Sequence, residues 1–586
     1  MLFTWIIFIT GVIAAEYDYV IVGGGTSGLA VANRLSEDSN VSVLVIEAGD
    51  SVYDNPNVTD ISRLGLTYDS PLDWAFQTTE QTFGGRQQVM RAGKALGGTS
   101  VMNGGAYARA EPSQLDAFKR FGIDEWSWKS LYPFYLKSES FHAPDQGQID
   151  AGATFVPRYH GFRGPVSVGF RPMSKGENDL TSAMNRTLAS MGLPWNSDLN
   201  SGDMRGFTLH PYTVDPDDIR SDAARAYYWP NKNRTNLHVK LNTFATRLVW
   251  SDKDEEAEIR AEGVEVHETK HGKRDVITAR KEVILAAGAM RSPVILELSG
   301  VGSPRILEKH GIPVRIDLPS VGENLQDQLN TSIVVSTKTP VTGTRTVAFA
   351  SVEDVFGSSA ESVAKSIRSQ LSQYAKAVAQ ESNGSMKEED LQRLFEIQHD
   401  LIFLDKIPAA EFVFIRQGTH TLHTGYWGLL PFARGNVHIS SSDPLSPPTV
   451  NPNFGMLDWD VQIQIGMSKF LRRMFQTGEL KEIIDNETLP GLDDVPEDAT
   501  DEEWTRWIGE QYTPNYHAIG TTSMLPREMG GVVDARLKVY GTSNVRVVDA
   551  SIQPLQLCGH PVANLYGIAE WVAERIKEDH SVSHGL

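Results

Sequence analysis

The chain has a single cysteine, Cys558, in 586 residues. No disulfide can form within it, so its stability rests on a core that a chain of this size is long enough to bury. Nothing around Cys558 marks an activated thiol, and it reads as a small apolar filler. Positive charge is also short: 54 Lys and Arg stand against 74 Asp and Glu, for a formal charge of -20. A nucleic-acid binder needs a clustered basic surface, so that class is excluded and the acidic excess reads as a solubilising surface. There is no internal repeat and no low-complexity tract. Met1 to Ala15 (MLFTWIIFITGVIAA) is apolar but falls short of the roughly 20 residues that cross a bilayer. Despite lacking a positive n-region, it reads as a secretory signal peptide, residues 1-15. Seven Asn-x-Ser/Thr sequons, at Asn40, Asn57, Asn185, Asn233, Asn330, Asn383 and Asn486, point the same way, towards a secreted glycoprotein.

What is present is an ordinary globular composition, 40% hydrophobic and 22% charged, in a chain too long for one core. Tyr17 to Val22 is a buried-strand run. It meets Gly23-Gly-Gly-Thr-Ser-Gly28, then a helical pattern from Leu29 to Leu35, then a second strand from Val41 to Ile46 ending on Glu47. This is a βαβ unit with a dinucleotide fingerprint. Gly23 permits the tight turn, Gly25 admits a pyrophosphate to the backbone, and Gly28 lets helix and strand pack closely. Glu47 is placed to accept hydrogen bonds from ribose hydroxyls. Further strand-like runs cover 264–267, 275–277, 282–288 and 544–551. Elements of one sheet are therefore scattered along the chain, and a second domain is expected to be threaded through the first. Residues 361–395 read as two amphipathic helices, a surface cover or contact pair.

Two histidines lie in turn-rich contexts near the C-terminus: His517 in Thr-Pro-Asn-Tyr-His-Ala-Ile-Gly and His560 in Leu-Cys-Gly-His-Pro-Val. Paired imidazoles facing one substrate suit proton removal near neutral pH. By spacing alone, two structural histidines satisfying backbone groups account for them equally well.

The segment Met90 to Gly104 (MRAGKALGGTSVMNG) resembles the first signature of the glucose-methanol-choline (GMC) family of flavin oxidoreductases. Gly288 to Gly302 (GAMRSPVILELSGVG) matches its second, and Asn515 to Ile568 resembles its catalytic C-terminus. Val321-Gly-Glu-Asn-Leu-Gln-Asp327 also fits. The resemblance implies an α/β fold: a discontinuous Rossmann-like FAD-binding domain (16-110, 225-325, 530-586) interleaved with an α+β substrate domain on an antiparallel sheet (111-224, 326-529). It implies that Thr26, Ser27 and the glycines hold the pyrophosphate, and Glu47 the ribose. Thr99, Asn103 and Gly104 would line the flavin, with Ala245 on the adenine side. Asp549 and Ala550 would close on the cofactor, with Pro561 and Val562 beside the isoalloxazine. Some members attach FAD through a histidine where Met102 stands here, so non-covalent FAD is expected. No metal is called for.

By the same resemblance, His517 is the general base, His560 shares the substrate hydroxyl, and Glu411 orients His560. Met524 to Asp534 and Trp427 to Gly435 resemble the glucose-oxidase-like, patulin-synthase-like fungal branch. Yet Thr513 replaces an expected sugar-binding arginine, Val413 an expected aromatic, and the branch's disulfide pair is absent. The expectation is a non-glucose primary, allylic or aryl alcohol of fungal secondary metabolism as substrate, and O2 or another electron acceptor. A sugar oxidase, a non-redox FAD-retaining cyclase or lyase, and a binding protein without catalysis are the alternatives. Trp427 serves equally as core or as the wall against a flat substrate.

Overall fold

The computed structural model describes residues 16–173, 175–251, 258–269 and 272–582. The expected signal segment lies outside them. Two sheets organise the molecule. In the first, Leu237–Lys240, Val43–Ile46, Glu16–Val22, Arg274–Leu285 and Val545–Val547 pair in parallel, in that order. Ala261–Glu268 and Thr243–Trp250 extend it as antiparallel strands. Tyr19 to Val22 and Val43–Ile46 are wholly buried apolar runs, the pattern of parallel strands covered on both faces.

The runs at 275–277 and 282–288, expected as separate strands, are one strand of 12 residues, Arg274–Leu285. Its first half alternates between buried and exposed and pairs with Ala261–Glu268. Its last three residues, Val283 to Leu285, are wholly buried between Glu16–Val22 and Val545–Val547. The change of period within one strand marks where it passes from the edge of the sheet to its centre.

The helix Thr26–Leu35 follows the first strand directly and packs against the C-terminal helix Pro561–Val582. That contact carries the partly buried ion pair Arg34–Glu570, at 2.7 Å. It brings His560, at the helix start, back over the fingerprint.

The second sheet is antiparallel, in the order Ile484–Leu489, Leu329–Thr337, Thr421–Gly428, Ala410–Gln417, Thr346–Ala350, Gly206–Thr208, with Thr513–Pro514 pairing onto Leu329 and Asn330. Alternate side chains take opposite faces. On one face Thr331 and Tyr426 bond Gln464 and Ser468 of the covering helix Asp458–Phe475, at 3.0 and 2.7 Å. The other face presents Asn330, Ser332, Val413, Ile415, His423, Gly425 and Trp427 to a cavity. Ala360–Glu381 and Glu388–Phe403 form the expected helix pair. They cover the core through Tyr374–Phe432 and Phe403–Trp459 ring contacts, away from that cavity. Among the described residues, no helix is long and apolar enough to cross a membrane.

Candidate active site

The two sheets meet across one cavity of about 510 Å³, lined from both. At its nucleotide end, the helix Thr26–Leu35 begins at Gly25 with no side-chain cap, which leaves backbone N–H groups open to an anion. Gly98 lies against this turn: a Cβ there would stand 2.6 Å from the Gly25 Cα. The Ser27 hydroxyl is buried without a partner in the protein. Glu47 ends its strand fully buried, its two oxygens accepting the Gly24 and Gly49 N–H groups at 2.9 and 2.8 Å. Thr99, Asn103, Gly104, Ala245, Asp549, Ala550, Pro561 and Val562 also line the cavity, as do Gly23, Gly25, Thr26, Ser27 and Glu47. Gly28 does not. It packs under the turn, where a Cβ would run into the Gly23 carbonyl. Asp549 ties the cradle together, accepting from the Gly288 N–H at 2.9 Å and from the Ser292 and Ser551 hydroxyls at 2.5 Å each.

Burial raises the Glu47 carboxyl to about 7. Ribose hydroxyls donating to it would favour its ionised form. Affinity for an adenosine dinucleotide is therefore expected to be full above pH 7 and to weaken as pH falls below it. Reconstitution of the apoprotein, followed by flavin fluorescence quenching across pH 5.5–8.5 (roughly 1.5 units either side of that value), checks this. Glu47→Gln should flatten the profile.

At the other end, His517 and His560 stand edge to face, ring centroids 5.2 Å apart and planes at 83°. Their loops are pinned separately. Asp327, in the Val321–Asp327 motif, accepts the Tyr516 and His517 N–H groups at 3.0 and 2.9 Å, and Gln556 donates to the His517 carbonyl at 2.8 Å. Tyr516 adopts a left-handed φ of 64°, which this clamp holds. The His517 Nδ1 lies 3.1 Å from Gln328 Oε1 and 3.0 Å from Asn515 Nδ2. Gln328 Nε2 donates to the Leu429 carbonyl at 3.2 Å, which fixes Oε1 towards the histidine. In the tautomer whose Nδ1–H donates to Gln328, the Nε2 lone pair is free. Burial, and then the neighbouring His560, hold His517 well below the usual histidine range, so it is neutral at physiological pH.

His560 Nε2 lies 2.9 Å from the Glu411 carboxylate, which is buried and leaves its other oxygen without a partner. Glu411 does not line the cavity; it stands behind His560. Trp427 is both core and wall. It is only 4% exposed, yet it lines the cavity with ring centroids 6.4 and 6.0 Å from His517 and His560. Cys558 is fully buried and donates to the Pro408 carbonyl at 3.3 Å, a filler.

Sequence reasoning missed Gln328, Asn330, His210 and Arg345. Asn330 also corrects the sequon count: its amide lines the cavity and donates to Asn515 at 2.9 Å, so it is no glycan acceptor in the folded chain. No local signal marks these four. Asn330 faces the site through its strand register, and Gln328, His210 and Arg345 reach it from positions just outside strands.

An open helix start, a buried carboxylate at the strand end and an orphaned Ser27 hydroxyl fit a dinucleotide. Such a cradle facing paired imidazoles across one cavity is the arrangement of a flavin-dependent oxidoreductase. The GMC oxidoreductase models match residues 17–330 and 431–569, and the chain belongs to that family. It is 42% identical to a glucose oxidase-like protein, fsoC, of Humicola fuscoatra over 96% of this chain and 95% of that protein. It is 34% identical to glucose oxidase 2 of Penicillium expansum, over 98% and 94%. Among solved structures, an FAD-dependent oxidoreductase from Chaetomium thermophilum superposes with a TM-score of 0.87 at 27% identity, covering 96% of this chain and 100% of that one. A fungal aryl-alcohol oxidase does so at 0.85 and 26%, covering 96% and 99%. The protein is thus an FAD-dependent enzyme acting on CH–OH donors.

Proposed function

We propose that the enzyme oxidises a non-sugar primary alcohol whose carbinol adjoins an unsaturated or aromatic group. The observation that carries this reading is the wall facing the histidine pair: Val413, Ile415, Gly425 and Trp427, with Thr513 beside them. A sugar site needs fixed donors and acceptors for several hydroxyls, and it discriminates by leaving them unpaired with the wrong ligand. Asn330, Ser332 and His423 share this face, but Asn330 is already bonded to Asn515, and the stretch from Ile415 to Trp427 offers apolar area and an aromatic edge.

FAD supplies the hydride acceptor when bound. Thr26, Ser27, Glu47, Thr99, Asn103, Gly104, Ala245, Asp549, Ala550, Pro561 and Val562 hold it. Met102 offers no nucleophile for a covalent link, so the cofactor dissociates. His517 takes the hydroxyl proton at Nε2. His560, oriented by Glu411, holds the carbinol oxygen, and buried Trp427 keeps water from both rings. Secretion as a glycoprotein accords with the apolar leader and with the exposed sequons Asn40, Asn233, Asn383 and Asn486.

Anaerobic mixing of the holoenzyme with an alcohol panel tests the reading. Benzylic and allylic alcohols should bleach the flavin, and glucose at equal concentration should not. Bleaching by glucose alone would make it a sugar oxidase. A flavin that no alcohol reduces, with a keto-substrate cyclised, would make the chemistry non-redox.

A further inference from the structure

Three arginines line the cavity: Arg91, Arg291 and Arg345. Arg91 is paired with Asp69 and Asp73, at 2.8 and 2.5 Å. Arg291 donates to the Pro444 carbonyl at 3.3 Å and lies 4.9 Å over the Phe244 ring. Arg345 makes no ion pair or hydrogen bond among the described residues, and its Nε is shut off from solvent. Among the described residues neither Arg291 nor Arg345 has a carboxylate partner, but Arg291 is held by a carbonyl and a ring, and Arg345 alone of the three has no acceptor at all. A guanidinium N–H shielded from water without an acceptor is costly, and a ligand that supplies an acceptor to this half-buried group offsets that cost.

Its position is set by register. Arg345 directly precedes Thr346–Ala350, whose Thr346 pairs with Phe414. The same register carried one residue further sets Arg345 beside Ile415, which pairs with His423. That level is four residues from Trp427 along Thr421–Gly428, about 13 Å at the usual strand rise. The guanidinium comes within 3.8 Å of where a Gly104 Cβ would stand and lies 6.0 Å from the Tyr212 ring. Between Arg345 and the histidine pair the floor is Ile415, Val413 and Gly425, ending at Trp427. Among the described residues lining that stretch there is no carboxylate to claim the charge. The nearer titratable neighbours, His423 and His210, are held towards neutrality by burial first and then by the Arg345 charge itself.

We propose that Arg345 is an anion subsite and that the substrate is an alcohol bearing a carboxylate at its far end. The carbinol lies at His517 and His560, an apolar or aromatic body crosses Val413 and Ile415, and the carboxylate accepts from the guanidinium. A planar fork of N–H donors matches a carboxylate in a way that a point charge does not. This rests on the alcohol-oxidation reading for the carbinol end only.

The test uses the holoenzyme and matched pairs: para-hydroxymethyl benzoate and its methyl ester, their biphenyl homologues, and the non-oxidisable para-methyl acids and esters. Binding is read from the flavin difference spectrum, and turnover from anaerobic bleaching. At least one acid should bind about tenfold tighter than its ester or better, a difference of about 1.4 kcal/mol. Arg345→Gln should erase that preference without altering ester binding or FAD content, and Arg345→Lys should restore part of it. Three outcomes overturn the proposal: an acid-to-ester ratio unchanged in Arg345→Gln, loss of FAD from that variant, or no acid preference in the native enzyme at any length. Acids that bind through Arg345 while no alcohol bleaches the flavin would leave the subsite standing and sink the oxidation reading instead.

Discussion

His517→Ala should lower the rate of flavin reduction by about 10²–10⁴ while the protein keeps its FAD, the range a positioned general base contributes. The structure argues that the loss will be chemical rather than structural. The backbone of residue 517 is held by the Asp327 carboxylate on its N–H and by Gln556 on its carbonyl, and neither contact uses the imidazole. The nucleotide cradle lies on other elements. Stopped-flow bleaching with a saturating alcohol, beside the flavin-to-protein ratio, separates the two effects, and His517→Gln checks that a filled site does no better. Reduction at the native rate would remove His517 from the base role.

The same residue predicts a pH profile. A base works when neutral, so activity is present above its folded pKa and lost as pH falls through it. Burial and His560 place that value well below the ordinary 6.5. The acid limb of kcat/KM should therefore lie below pH 6.5 in the native enzyme. A limb at or above 6.5 would contradict a desolvated base. The linked cost falls on stability: the unfolded chain binds a proton at His517 and at His210 near 6.5 while the folded one does not. Stability should decline as pH drops through that value.

How much of this was legible beforehand depended on sequence distance. The fingerprint is local: strand, glycine turn, helix and acid follow one another within about 30 residues, the span of a βαβ unit, so their chemistry can be read in order. The FAD assignment and the family followed from such blocks and agree with the fold and the comparisons. His560 and Glu411 are 149 residues apart and touch only because a helix start meets a strand of the other sheet. A resemblance could join them; spacing could not. Gln328, Asn330 and Arg345 were invisible for a plainer reason. Each sits in or beside a strand where a one-residue slip would turn it to the opposite face. The run from 274 to 285 was misread as two strands because its period changes midway, and only pairing shows that one strand serves two neighbourhoods.

Two substitutions in the opening turn should part folding from cofactor binding. Gly28→Ala puts a methyl group into the Gly23 carbonyl and 3.1 Å from the Ala286 Cβ. Helix and strand must then separate, at a cost of about 1–3 kcal/mol by the usual scale of overpacking. The apoprotein itself should melt earlier, and FAD should be lost with it. Gly25→Ala meets no such obstacle. Its φ of -90° and ψ of -163° suit any residue, and the nearest atom to the new methyl is the Gly98 Cα at 3.7 Å. The apoprotein should therefore melt as the native one does. The methyl instead occupies the space over the open helix start, where a pyrophosphate approaches the backbone. FAD affinity should fall by about tenfold or more, some 1.4 kcal/mol at the least. Apoprotein melting curves and flavin titration of both variants decide it. Native FAD affinity in Gly25→Ala would mean that the phosphates do not lie over this turn. Equal destabilisation of the two apoproteins would mean that Gly25 serves packing, as Gly28 does.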